Sequence, residues 1–197
     1  LLLSIVFQIY SSIVIMNRLY GIKHNDLHIG NIMLNKTDIK FLYYSLDNKF
    51  YKVPTHGYIL KIIDWGRSTY KIGEFIGMNS IYDRENDCHG QYIYNRLGPK
   101  TKSITLDKNK WSDIVMISHS LLYEFPEFIN TRIGLFLLKM IEDRNGEILD
   151  PTKFDWSIYK TINKMEYNIK PRNVFKNKIF NRYLIENTDS QIIYKIY

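Results

Sequence analysis

The chain has 197 residues, 45% of them hydrophobic, a single cysteine (Cys88) and a formal net charge of +7 at neutral pH. That is enough chain for one domain with a sizeable core, and it excludes an intrinsically disordered protein. The positive balance is compatible with phosphate-bearing ligands, but the cations are scattered among acids without a sustained basic run, so a nucleic-acid partner is not expected; a lone cysteine excludes an internal disulfide and fits an intracellular setting.

In chain order, residues 1–16 are strongly apolar. No basic leader precedes them and the run falls short of the ~18 residues a membrane span needs. Ser4, Gln8, Ser11 and Ser12 form a thin polar stripe at helical spacing, so the reading is a helix over 1–20 buried in a globular core, with no membrane partner. Gly21 is a suitable stop. Ile39–Leu46 and Lys49–Val53 are Tyr- and Phe-rich runs around Asp47-Asn48, which predicts a β-hairpin. Tyr58–Ile63 reads as a further strand, entered through Pro54 and Gly57. Residues 67–110 are rich in Gly, Asn, Asp and Lys and read as a long irregular segment. From Trp111 onward the apolar spacing is helical, over 111–123, 131–142, 156–165 and 172–185. The basic and aromatic stretch Lys170–Lys178 reads as the solvated face of a helix. No internal repeat appears. The expected fold is α+β and helix-dominated, in one domain.

Two strings carry chemistry. Residues 24–31 read His-Asn-Asp-Leu-His-Ile-Gly-Asn, and residues 62–66 read Ile-Ile-Asp-Trp-Gly. A carboxylate on a tight loop, Asp26, can accept or orient the proton of an attacking hydroxyl. Asn31 lies five positions on, so the loop can turn back and present its amide oxygen to a metal. Asp64 ends a strand, a rigid mount, and Gly66 lets the chain turn sharply after it. Mg²⁺ is hard and takes oxygen ligands, so Asn31, Asp64 and phosphate oxygens form a sensible shell. A rival reading places His24, Asp26 and His28 on one face of a strand as a zinc or iron site. It leaves Asn31 and the Asp-Trp-Gly unexplained, and His56, His89 and His119 are isolated.

Taken together, the strings resemble the catalytic loop H-x-D-L-x-x-x-N and the metal-binding D-F-G of protein-kinase-like phosphotransferases, with Trp65 in place of Phe. The chain looks like the C-terminal lobe of that superfamily. Asp26-Leu-His-Ile-Gly-Asn31 is closer to the Asp-Leu-His-x-x-Asn of haspin and of aminoglycoside or choline kinases than to the common Asp-Leu-Lys-Pro-x-Asn. The chain also resembles serine/threonine kinases assigned to large DNA viruses of amoebae, which carry a Tyr-Lys-Val-Pro stretch (Tyr51–Pro54 here) before Ile-Ile-Asp-Phe-Gly.

The resemblance implies ATP and Mg²⁺ as cofactors, a Ser/Thr-bearing protein as substrate, and the host cytoplasm or virion as location if the source is viral. Residues 1–20 become the helix ahead of the catalytic loop, Asp26 the base, and His24 the loop's structural support. His28 stands where kinases often place a Lys on the transferred phosphate, as a donor. Asn31 and Asp64 become the Mg²⁺ ligands. Asp113, at the head of an apolar helix, becomes the carboxylate that accepts backbone N–H bonds from the loop. A small-molecule kinase and a non-catalytic pseudokinase or remnant, acting as an interaction module, are the alternatives. The departures are specific. Asn25 replaces the usual Arg, which argues against control by a phosphorylated activation loop. No Ala-Pro-Glu follows Asp64, and no Gly-rich loop, Val-Ala-Ile-Lys or partner Glu is found. With 23 residues ahead of His24, the expectation is a single partial domain over 1–197 that lacks the ATP-gripping N-terminal lobe, requires it from elsewhere, and is inactive alone.

Overall fold

Helix α1 spans Leu2–Tyr20 and ends where Gly21 turns left-handed (φ 59°), its N–H donating to the Asn17 carbonyl at 2.9 Å. Glycine is needed there twice over: for the positive φ, and because a Cβ would stand 3.0 Å from the Lys71 Cβ. By length and composition alone α1 is apolar enough to cross a membrane. In the fold, Val6, Phe7, Ile9, Tyr10, Ile13 and Val14 are buried in protein. Its polar stripe docks it to strands: Gln8 Oε1 accepts the Leu60 N–H at 3.2 Å, and the Ser4 hydroxyl donates to the Pro54 carbonyl.

The computed structural model describes residues 1–73, 75–82, 85–88, 110–190 and 192–196. Within them the fold is α+β. Strand β1 (Ile32–Lys36) pairs antiparallel with β4 (Tyr58–Ile62), setting Ile32 opposite Ile62. Between them, β2 (Phe41–Leu46) and β3 (Lys49–Pro54) form a hairpin. Its turn residues Asp47 and Asn48 are both left-handed (φ 49° and 59°), the conformation that matches the twist of the flanking strands. A second hairpin, β5 (Thr69–Ile72) and β6 (Phe75–Met78), follows. The helical half holds α2 (Ser112–Glu124), α3 (Arg132–Met140), α4 (Ser157–Lys164) and α5 (Pro171–Phe175). The last strands, β7 (Leu184–Ile185) and β8 (Tyr194–Lys195), return to the first hairpin, giving the order β7-β3-β2-β8.

The core is organised around Phe7. Its ring lies 5.1 Å from that of Tyr44, 5.3 Å from Tyr51, 5.1 Å from Phe175, 5.0 Å from Phe180 and 5.8 Å from Tyr183. Several of these pairs are edge-on, the arrangement that aromatic quadrupoles favour. Helix α2 is buried along Ser112–Leu122 and is pinned to α1 by the Tyr10 and Ser118 hydroxyls, 2.6 Å apart.

Three expectations are corrected. The fold is not clearly helix-dominated, because eight strands occur among the described residues. The segment from residue 67 is not irregular at its start, where β5 and β6 pair around Gly73 (φ 59°); residues 89–109, His89 among them, lie outside the described residues. Residues 172–185 are not one helix. Asn177 takes an extended conformation and its side chain accepts the Ile179 N–H at 3.0 Å, so α5 stops and a 3₁₀ stretch, Lys178–Tyr183, takes over. Asn offers the backbone this local alternative to helix.

Candidate active site

The loop between α1 and β1 is held from below by one carboxylate. Asp113, in the first turn of α2, accepts the backbone N–H of His24 through Oδ2 at 2.7 Å and that of Asn25 through Oδ1 at 2.8 Å. All four residues His24, Asn25, Asp26 and Asp113 are buried. A second tie comes from Ser120 of the same helix, whose Oγ accepts the Ile29 N–H at 2.9 Å.

His24 joins this loop to the Asp64 segment. The Asp26 N–H donates to its Nδ1 at 3.3 Å, so its proton sits on Nε2, which donates to the Ile63 carbonyl at 2.8 Å. The Ile63 N–H in turn donates to the Asn31 carbonyl at 3.0 Å. Ile63, the residue just before Asp64, is thus fastened to the loop through both its backbone N–H and its backbone carbonyl. The Trp65 ring covers His24, with centroids 4.6 Å apart. Asp64 itself is exposed at the end of β4 and is left-handed (φ 61°, ψ 68°), accepting the Gly66 N–H at 3.4 Å. The sharp turn assigned to Gly66 is therefore made two residues earlier, by Asp64, a residue type that tolerates positive φ better than most.

Asn31 is oriented by its own amide. Its Nδ2 donates to the Asp26 carbonyl at 2.8 Å and lies 3.3 Å from His28 Nε2. Because Nδ2 only donates, Oδ1 is the atom turned away from these partners, and His28 Nε2 acts as the acceptor. The half-buried His28 ring packs over Gly30, where a Cβ would meet its Nδ1 at 3.0 Å, and edge-on against Phe154 at 6.0 Å.

The Asp26 carboxylate has partners that no motif announced. Arg67 Nη1 lies 3.4 Å from Oδ1, and the Tyr159 hydroxyl of α4 donates to the same oxygen. The Arg67 guanidinium stands over the rings of Trp156 (5.0 Å) and Tyr159 (5.5 Å). Burial pushes the Tyr159 phenol well above its usual range, the hydrogen bond to Asp26 and the charge of that group push it the same way, and Arg67 opposes them. The Arg67 carbonyl accepts from Asn25 Nδ2 at 2.9 Å, and Lys23 and Thr69 exchange backbone hydrogen bonds at 2.9 Å. The chain beyond Asp64 thus runs alongside the loop. A cation directly after Asp-Trp-Gly was a signal open to a sequence reader; Tyr159, 133 positions from Asp26, gave none.

Among the described residues, no group of three or more His, Cys, Asp and Glu side chains is arranged to hold a metal ion. The His24–Asp26–His28 set is not assembled, since both ring nitrogens of His24 are used within the protein. The donors compatible with Mg²⁺ are hard oxygens: Asn31 Oδ1, left over by the amide's orientation, and the exposed Asp64 carboxylate.

No family model matches the chain. It is 42% identical over 62 residues to the serine/threonine-protein kinase haspin of Mus musculus, a span covering 32% of this chain and 8% of that protein. It is 40% identical over 91 residues to haspin of Bos taurus, covering 46% and 12%. A probable serine/threonine-protein kinase of Invertebrate iridescent virus 6 is 29% identical over 123 residues, covering 59% and 22%. The chain is thus related to serine/threonine protein kinases, a viral one among them, and the matched spans make up less than a quarter of each of these relatives.

Proposed function

We propose, with that kinase relationship as the premise, that residues 1–197 form a single partial domain corresponding to the C-terminal lobe of an ATP-dependent serine/threonine protein kinase. The observation that carries the reading is the double fastening of the Ile63 backbone, its N–H to Asn31 and its carbonyl to His24. It ties the Asp64 strand end to the loop that bears Asp26 and Asn31. In this reading Asp26 takes the proton of the acceptor hydroxyl as that oxygen attacks the terminal phosphorus of ATP, and ADP leaves. Asn31 Oδ1 and the Asp64 carboxylate hold Mg²⁺. The metal, when bound, neutralises charge on the phosphates. With Nε2 of His28 turned to Asn31, Nδ1 is the ring atom that remains to meet a phosphate. Asp113 and His24 keep the loop in shape.

The acceptor is a Ser/Thr hydroxyl on a protein, within a cell. Residues 1–197 contain no Gly-rich loop and no Val-Ala-Ile-Lys string, so in this reading the ATP-gripping lobe is supplied by another segment or another chain. That same feature favours the second reading, a non-catalytic interaction module. The Asp-Leu-His-x-x-Asn string keeps a small-molecule acceptor as a variant of the first.

The test is transfer of labelled phosphate from Mg-ATP to protein acceptors by the native full-length product that carries these residues. Mg-dependent transfer supports the kinase reading. Absence of both transfer and Mg-dependent nucleotide binding supports the interaction module.

A further inference from the structure

Asp26 is a nearly buried carboxylate whose two oxygens have unlike surroundings. Both hydrogen bonds that the described residues make to it, from Tyr159 and from Arg67, go to Oδ1, and none reaches Oδ2. Neither donor is incidental. Tyr159 projects from α4, in a part of the chain far from the loop, and Arg67 is fixed at both ends. Its carbonyl accepts from Asn25 and from the Tyr82 hydroxyl, while its guanidinium lies over Trp156 and Tyr159. A carboxylate gripped at one oxygen cannot rotate freely about its Cβ–Cγ bond, so its other oxygen has a defined direction. A base must meet the acceptor proton at hydrogen-bond distance in a narrow range of angles, and small misplacements are costly in rate.

We propose that Asp26 works through Oδ2, and that Tyr159 and Arg67 are positioning residues that hold Oδ1 so that Oδ2 faces the acceptor hydroxyl. This rests on the kinase reading above and adds to it the side chains that aim the base. The two donors also bring α4 to the edge of the acceptor site, because the helix that carries Tyr159 must stay docked for the base to stay aimed. Tyr159 carries the more specific part. A phenylalanine keeps the ring against Arg67 and removes the hydroxyl, and with it the bond to Oδ1.

The experiment is carbon-13 NMR of protein labelled at the aspartate carboxyl, with the Asp26 signal assigned through Asp26→Asn, alongside steady-state kinetics of the full-length product. Tyr159→Phe and Arg67→Lys are each expected to move the Asp26 signal at constant pH and to leave that of Asp113 in place, which reports an intact loop. In the kinetics, Tyr159→Phe is expected to lower kcat about tenfold, a part of the 10²–10⁴ a general base contributes, with the KM for ATP unchanged. An Asp26 signal unmoved in both variants overturns the inference. A moved signal with kcat equal to wild type also overturns it and leaves the kinase reading intact. If wild type transfers no phosphate, or Asp26→Asn transfers as well as wild type, the kinase reading is what fails, and an unmoved or moved carboxyl signal still decides whether the clamp on Oδ1 exists.

Discussion

The carboxylate of Asp113 receives the backbone N–H of His24 at 2.7 Å across 89 positions of sequence, and its second oxygen receives the next N–H, that of Asn25. Removing the carboxylate leaves two buried amide donors without partners, at a cost on the order of 1–3 kcal/mol or more. Asp113→Ala is therefore expected to lower the melting temperature by several degrees. Asp64→Asn is expected to leave it close to wild type, because Asp64 is exposed, bonds only to Gly66 among the described residues, and Asn tolerates its left-handed backbone. Thermal melts by circular dichroism check both. An unchanged Asp113→Ala beside a destabilised Asp64→Asn would reverse the two roles.

Asp26→Asn keeps the size and much of the hydrogen bonding of the side chain and removes its capacity to take a proton. In the full-length product, phosphate transfer is expected to fall by roughly 10²-fold or more, while Mg-ATP affinity holds. Paired measurements of transfer rate and nucleotide Kd separate this outcome from a folding defect, which lowers both.

Residues 1–197 alone are expected to bind Mg-ATP weakly and to turn over negligibly, since their sequence holds no Gly-rich loop and no Val-Ala-Ile-Lys string to grip the phosphates. Titration calorimetry with and without Mg²⁺ is the check. Tight, Mg-dependent binding by this chain contradicts the assignment of the ATP grip to another segment.

His119 gives the fold a dependence on pH. The residue is fully buried on α2, its ring Nε2 lies 2.7 Å from the Asp150 carbonyl, and its Nδ1 has no partner among the described residues. Burial pushes its pKa below the usual 6.5, and the Asp150 carbonyl only partly offsets that. A group whose folded pKa is depressed contributes stability that is present above the unfolded value and is lost as pH falls toward the folded value. Urea midpoints are expected to be level above about pH 7 and to decline below about 6.5. His119→Gln is expected to flatten that part of the curve, whatever it does to the midpoint at neutral pH.

Elements whose pattern is local were legible in the sequence. The hairpin at Asp47-Asn48 follows from turn chemistry between two aromatic runs, and α1 through α4 follow from apolar spacing and, for α1, a glycine stop. Strand β1 escaped because Met33 and Leu34 are both exposed, so its residues show no alternation to read. The continuous helix expected over 172–185 failed for the opposite reason: its apolar spacing is real, but Asn177 diverts the backbone. In the site, Asp26, Asn31 and Asp64 stand out because a loop and a strand end put several informative residue types close together in sequence. The partners of Asp26 do not, since Tyr159 reaches it only through the packing of α4, and no spacing rule encodes such a contact.

The ring cluster on Phe7 has a consequence for how this chain acquires its structure. Its five aromatic neighbours come from the hairpin after the loop and from the last stretch, Phe175 to Tyr183. While a ribosome is still making residues 100 to 170, α1 has an uncovered apolar flank, of the kind that invites aggregation or a chaperone. Closure of this cluster needs long-range contacts between α1 and residues 175–183, which slows folding. Premature termination near residue 170 is thus expected to yield an insoluble product, although every motif residue from His24 to Asp113 has by then been made.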